Sequence, residues 1–214
     1  MTILPSLALG FALGVRHATD ADHIAAIGTI VAQRRSARGA ALVGAAWGLG
    51  HSASVLVVGG ALVLLRLPMP VRMALALEFV AAMMLIALGV RAILANRHDA
   101  SPASTTRPLV VGVIHGLAGS AVLALLVLAT TTSALAAAVY LLCFSVGTIA
   151  GMALVTTLLT LPTRLTSVRA LSFERSVRVV AGVASVAIGL AMAHRIGVRD
   201  GLFGATLPTV WPQE

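Results

Sequence analysis

Apolar residues run through this chain in long continuous blocks, without the strict alternation of a half-buried strand or the narrow stripe of a surface helix. Six blocks are long enough to cross a bilayer as helices, at about 20 apolar residues per crossing. They are Ile3–Ala32, Ala40–Leu65, Val71–Ala95, Leu109–Thr131, Ser133–Leu161 and Val177–His194. The connections are short and polar. The longest are Asn96–Pro108, with Ser, Thr, Pro and Asp, and Pro162–Ser176, with several Arg. A tail from Arg195 to Glu214, carrying Gly, Pro and Trp211, is expected at the membrane interface or disordered. The pattern predicts an all-α integral membrane protein with six transmembrane helices.

The blocks repeat. Gly14-Val15-Arg16-His17-Ala18 resembles Gly112-Val113-Ile114-His115-Gly116. Trp47-Gly48-Leu49-Gly50-His51 resembles Phe144-Ser145-Val146-Gly147-Thr148, and Ile86-Ala87-Leu88-Gly89-Val90 resembles Val186-Ala187-Ile188-Gly189-Leu190. The offsets of 98, 97 and 100 positions are close to one register. Three crossings per repeat is an odd number, so the halves run oppositely through the membrane. Two inverted three-helix repeats, with a site at their interface, are a transporter architecture. The expected division is residues 1–95, a cytoplasmic loop 96–108, a second repeat 109–194 and the tail 195–214.

The first block is interrupted by Arg16-His17-Ala18-Thr19-Asp20-Ala21-Asp22-His23. A charged group at membrane depth costs about 2.5–3.5 kcal/mol or more, so such clusters mark function by default. Two imidazoles and two carboxylates suit a divalent transition metal. A hydrated kink in which Arg16 neutralises one Asp leaves both His and the other Asp unexplained. At 100° per residue, a straight helix offers His17, Asp20 and His23 on one face, with Arg16 beside them and Asp22 nearly opposite. For Asp22 to join the site, the helix must be unwound near Thr19–Ala21. The residues leave both arrangements open.

His51, mid-block among Gly44, Gly48 and Gly50, is a further ligand candidate; its alternative is a hydrogen-bonded packing residue. His115 is expected along the path or just behind the ligands. Glu78 is expected to pair with Arg16 or Arg72, with a proton or cation relay as the alternative. Thr148 and Thr156 are candidates for hydrogen bonds between helices.

Composition narrows the function. Hydrophobic residues make up 59%, charged residues 10%, and mean hydropathy is +1.02, against about one-quarter charged in soluble domains. All fifteen basic residues are Arg; without Lys there is no Walker A loop, which argues against an ATPase in this chain. The net charge of +8 does not point to nucleic acid, because the Arg residues sit mostly between blocks, where positive-inside topology explains them. The connections after blocks one, three and five hold nine Arg and the opposite side four, which places the first set in the cytoplasm and both termini outside. Cys143 has no partner for a disulfide and reads as a packing residue. No cleavable signal peptide is evident at the N-terminus.

With His17-x4-Asp22-His23 inside RHATDADHI, the chain resembles the nickel/cobalt transporter family, whose signature is His-x4-Asp-His in a transmembrane helix. The resemblance runs from about Leu7 to Ala193 and includes Gly50-His51-Ser52. It implies that His17, Asp22 and His23 bind the metal in transit, and so implies the unwound helix. The larger members carry a second acidic element, Leu-Gly-Phe-Asp-Thr-Ala-Thr-Glu. Here His115-Gly116-Leu117-Ala118-Gly119-Ser120 and Phe144–Met152 stand instead, which look like the shorter urease-accessory-type branch. The resemblance implies a permease for Ni²⁺ or Co²⁺ in the cytoplasmic membrane, no tightly bound cofactor, and a link to nickel-enzyme maturation. Two other readings use the same residues. A sulfite-type anion exporter would bind through Arg16. An intramembrane metal-dependent hydrolase would need a general base, yet the chain has no HExxH motif and Glu78 is the only Glu within a block.

Overall fold

The first apolar block does not form one helix. In the computed structural model, which describes residues 3–31, 36–65, 69–95, 105–130, 133–161 and 171–204, it is divided into α1 (Ile3–His17) and α2 (Ala21–Val31). The intervening Ala18-Thr19-Asp20 carries side chains that compete for backbone groups. Thr19 donates both its N–H (2.9 Å) and its hydroxyl (2.6 Å) to the Arg16 carbonyl. The Asp20 N–H goes to the His17 carbonyl at 3.1 Å. These i→i+3 bonds tighten and end α1. The Asp20 carbonyl then accepts the Ile24 N–H at 3.0 Å and starts α2.

The later blocks follow expectation more closely. Helix α3 (Ala37–Ser54) is capped by the Ser36 hydroxyl, which accepts the Gly39 N–H at 2.9 Å. It runs through one π turn (Val55–Gly59) into α4 (Gly60–Leu64). Then come α5 (Val71–Leu94), α6 (Thr106–Thr130), α7 (Ala134–Leu159) and α8 (Leu171–His194). The sixth block differs from expectation at both ends. Its helix starts at Leu171 and continues past His194 as a π turn, Arg195–Arg199. Arg195 and Arg199 therefore belong to a helix rather than to a tail. Residues 205–214, and with them Trp211, lie outside the described residues, as do residues 96–104 and 162–170 of the two long connections.

All described elements are helical. Among the described residues, four stretches are long and apolar enough to cross a membrane: Ala37–Val63, Val71–Leu94, Leu135–Leu159 and Arg175–Arg199. Their outer faces carry exposed Val57, Met83, Leu94, Val146, Leu154, Val180 and Val183. A soluble monomer rarely shows so much contiguous apolar surface; a bilayer covers it without cost. This is a membrane protein.

The helices meet through glycine. Helix α1 lies along α7, α3 along both α6 and α7, α5 along α8, and α2 against α8. A Cβ at Gly14 would overlap the Phe144 carbonyl, and one at Gly112 would overlap the Trp47 carbonyl. Gly50 faces the Leu109 carbonyl in the same way, and Gly147 faces that of Phe11. Each of these contacts recurs between residues displaced by 97 or 98 positions. In apolar surroundings close backbone approach supplies the packing energy that the hydrophobic effect supplies in water.

Serines add hydrogen bonds between helices: Ser52 to the Ser145 carbonyl (3.3 Å), Ser54 to that of Val113 (2.9 Å) and Ser185 to that of Leu85 (2.8 Å). Thr148 and Thr156 do not act this way. Their hydroxyls donate within α7, to Phe144 and Met152 respectively, because a β-branched hydroxyl readily reaches the i−4 carbonyl of its own helix.

Gly112→Ala is expected to force α3 and α6 apart and to cost about 1–3 kcal/mol, the usual penalty of overpacking. Gly60 has open space around it, so Gly60→Ala is expected to be neutral or slightly stabilising. Thermal unfolding of the two purified variants in detergent checks the contrast.

Candidate metal centre

The break between α1 and α2 turns His17, at the end of one helix, toward Asp22 and His23, in the first turn of the next. His51 of α3 and His115 of α6 approach from the facing side. His23, His51 and His115 are all buried. His17 and Asp22 are partly accessible, with side-chain exposures of 21% and 24%.

Hydrogen bonds orient these groups. His17 donates from Nδ1 to Asp20 Oδ2 at 2.9 Å, which leaves its Nε2 facing His51 Nε2 at 3.2 Å. A ring nitrogen freed by a carboxylate on the opposite nitrogen is the usual setting of a metal-binding imidazole. Asp22 accepts twice on Oδ1, from the backbone N–H of His23 (3.0 Å) and from His23 Nδ1 (3.1 Å), and on Oδ2 from His115 Nε2 (2.9 Å). The carboxylate also sits in the first turn of α2, where the helix dipole favours negative charge. His23 Nε2, His51 Nδ1 and His115 Nδ1 are buried with no hydrogen-bond partner. An unmatched buried nitrogen costs about 1–3 kcal/mol, so three in one cluster suit a site built for another occupant.

Among the described residues, two sets of potential ligands result. His17, His23 and His51 form one; Asp22, His23 and His115 form the other. Within each set the donor atoms lie within 4.8 Å of one another, and His23 belongs to both. Imidazole with one carboxylate suits nickel, cobalt, zinc or copper better than calcium or magnesium.

The expected residues are thus placed unequally. His17, Asp22, His23 and His51 come together. His115 hydrogen-bonds Asp22, as a residue just behind the ligands would, and it also stands in the second set. Asp20 lies outside both sets, half exposed, as the partner of His17. Arg16 is exposed beside the break and belongs to neither set. Glu78 pairs with neither Arg16 nor Arg72. Its Oε2 lies 3.7 Å from Arg195 Nη2, because the π turn carries α8 far enough to bring that arginine to α5. Arg72 instead donates to the Gly204 carbonyl at 2.8 Å.

Two aromatic side chains, unmarked by the spacing of the polar residues, complete the site. Trp47 stacks on His23, with ring centroids 5.5 Å apart and planes at 23°, and meets His115 edge-on. Phe144 lies 5.4 Å from His17. The available signal was spacing: Trp47 precedes His51 by four residues and shares its helix face.

The chain matches the family model described as "High-affinity nickel-transport protein" over residues 4–101. It is 33% identical over 219 residues to the urease accessory protein UreH of Bacillus sp. (strain TB-90), an alignment that covers 94% of this chain and 96% of that protein. No solved structure matches.

Asp20→Asn is expected to weaken Ni²⁺ binding about tenfold, the lower end of the loss seen when a metal-bound imidazole loses its outer carboxylate. Glu78→Gln is expected to leave binding within about twofold. Equilibrium dialysis of the purified full-length variants against ⁶³Ni²⁺ measures both.

Proposed function

The chain belongs to the high-affinity nickel-transport family, and we propose that it is a permease carrying Ni²⁺, or Co²⁺, across the cytoplasmic membrane through its His/Asp cluster. One observation carries this reading: four imidazoles and a carboxylate converge at a helix break inside an apolar bundle, with ring nitrogens left unmatched. His17, Asp22, His23 and His51 take the ion as it sheds water, and Asp20 holds the His17 ring. Arg16, exposed beside the break, stands at the approach, and Glu78 is held by Arg195 outside the cluster.

Six crossings in two inverted repeats, residues 1–95 and 109–194 joined by a cytoplasmic loop 96–108, form the scaffold. The reciprocal glycine contacts, Gly14 on Phe144 with Gly112 on Trp47, support this symmetry. The cluster then lies between the halves, where rocking of one against the other exposes it alternately to each side. Nine Arg against four at the ends of the apolar blocks support a cytoplasmic placement of the intervening loop and termini outside. An inward-negative potential drives the cation inward by about 2.3 kcal/mol per elementary charge per 100 mV. The metal is cargo, no cofactor is tightly bound, and the chain does not act as an enzyme or an ATPase. Affinity order alone favours copper, so discrimination rests on ligand number and geometry. The name of the UreH relative supports a role in supplying nickel for urease maturation.

The competing readings fit the geometry poorly. In an anion exporter the Asp22 carboxylate at the heart of the cluster would repel the cargo. A hydrolase lacks its base, since Glu78 is engaged by Arg195 and stands in neither ligand set.

Cells expressing the chain are expected to accumulate nickel above an empty-vector control, and His17→Ala or Asp22→Asn to reduce that uptake at least about tenfold at matched membrane levels. Uptake measured with ⁶³Ni²⁺ tests this. Equal counts for all three proteins, at background, would return the function to the anion exporter.

A further inference from the structure

The two ligand sets meet at one side chain. His23 is buried and its ring lies 4.5 Å from that of His17 on one side and 4.4 Å from that of His115 on the other, edge-on to both. His51 lies 5.1 Å from His17 and 6.0 Å from His115, ring to ring. His17 and His115 therefore flank His23, and the donor atoms gather as two groups of three.

We propose that the cluster is two adjacent ion positions sharing His23, and that the ion passes between them by exchanging His17 and His51 for Asp22 and His115 while His23 remains bound. The inference rests on the permease reading above and adds His115 as a ligand, together with the order of ligand exchange. In the first position all three donors are neutral imidazoles. The 3.2 Å between the facing nitrogens of His17 and His51 suits neighbouring ligands on one ion, which stand roughly 3.0–3.4 Å apart for metal–nitrogen bonds of about 2.0–2.1 Å. The second position adds the Asp22 carboxylate. His115 Nε2 hydrogen-bonds that carboxylate at 2.9 Å; when the cation takes Nε2, the ring proton is carried on the otherwise unpartnered Nδ1 and the imidazole stays neutral. Transport needs an ion held firmly enough to enter and loosely enough to leave, and two neighbouring positions with a common ligand meet both demands. An ion that never leaves His23 avoids a stage at which it is stripped of water and ligands together.

Trp47, stacked on the shared imidazole, reports occupancy. In full-length protein carrying Trp211→Phe, reconstituted in lipid nanodiscs, Ni²⁺ quenches Trp47 fluorescence. His115→Ala is expected to keep Ni²⁺ binding within about threefold, through the three-imidazole position, while ⁶³Ni²⁺ uptake in cells falls at least about tenfold. His115→Gln keeps a donor toward Asp22 but is a poor nickel ligand, and is expected to fail equally in uptake. His17→Ala with His115→Ala is expected to lose binding altogether.

Restoration of uptake by His115→Gln would reduce His115 to a positioning residue for Asp22 and overturn the proposal. Wild-type uptake in His115→Ala would overturn it as well, with the permease reading intact. Loss of binding in His115→Ala as complete as in the double variant would show a single position and also overturn it. Failure of the wild type itself to bind or carry nickel would remove the permease reading, and this one with it.

Discussion

The break that assembles the cluster depends on one constraint: backbone groups freed inside an apolar bundle must find partners within the protein. Ala18-Thr19-Asp20 meets it by folding Thr19 and Asp20 back onto the last carbonyls of α1 and by starting α2 from the Asp20 carbonyl. Broken helices are tolerated at depth when the freed backbone groups are satisfied in this way. Without the break, Asp22 would point nearly opposite to His17, and the carboxylate would be stranded against lipid or a neighbouring helix.

The glycine contacts serve the same end at longer range. Gly14 and Gly112 let α1 and α6 touch the backbones of α7 and α3, and in the bundle so closed His17 of α1 faces His51 of α3 at 3.2 Å. His51 and His115 lie on α3 and α6, one helical turn or less from Gly50 and Gly112, so the packing that closes the bundle also fixes the distance between these two imidazoles. Trp47 contributes to both, its carbonyl meeting Gly112 and its ring covering His23.

Charge is rationed within the cluster. A single carboxylate, Asp22, serves two imidazoles and sits at a helix start that stabilises its charge, while Asp20 is held outside at the accessible edge of His17. The Glu78–Arg195–Asp200 group lies elsewhere, joining α5 to the end of α8.

Much was settled by the sequence itself. Block length and the scarcity of charge required helices in a membrane, because nothing else satisfies the backbone of such segments. The spacing of His17, Asp22 and His23 pointed to a candidate metal site, since intramembrane ionisable groups are too costly to be incidental. The choice between Asp20 and Asp22 was not legible, because an ideal helix and a broken one present opposite faces, and only the local hydrogen bonding of Thr19 and Asp20 separates them. Nor were the partnership of Glu78 with Arg195, the contact of His115 with Asp22 and the stacking of Trp47 on His23. Each joins residues far apart in the chain, so each follows from how helices cross and where a π turn extends one of them. Spacing along a chain describes one helix at a time; which helices face each other is decided by packing in three dimensions.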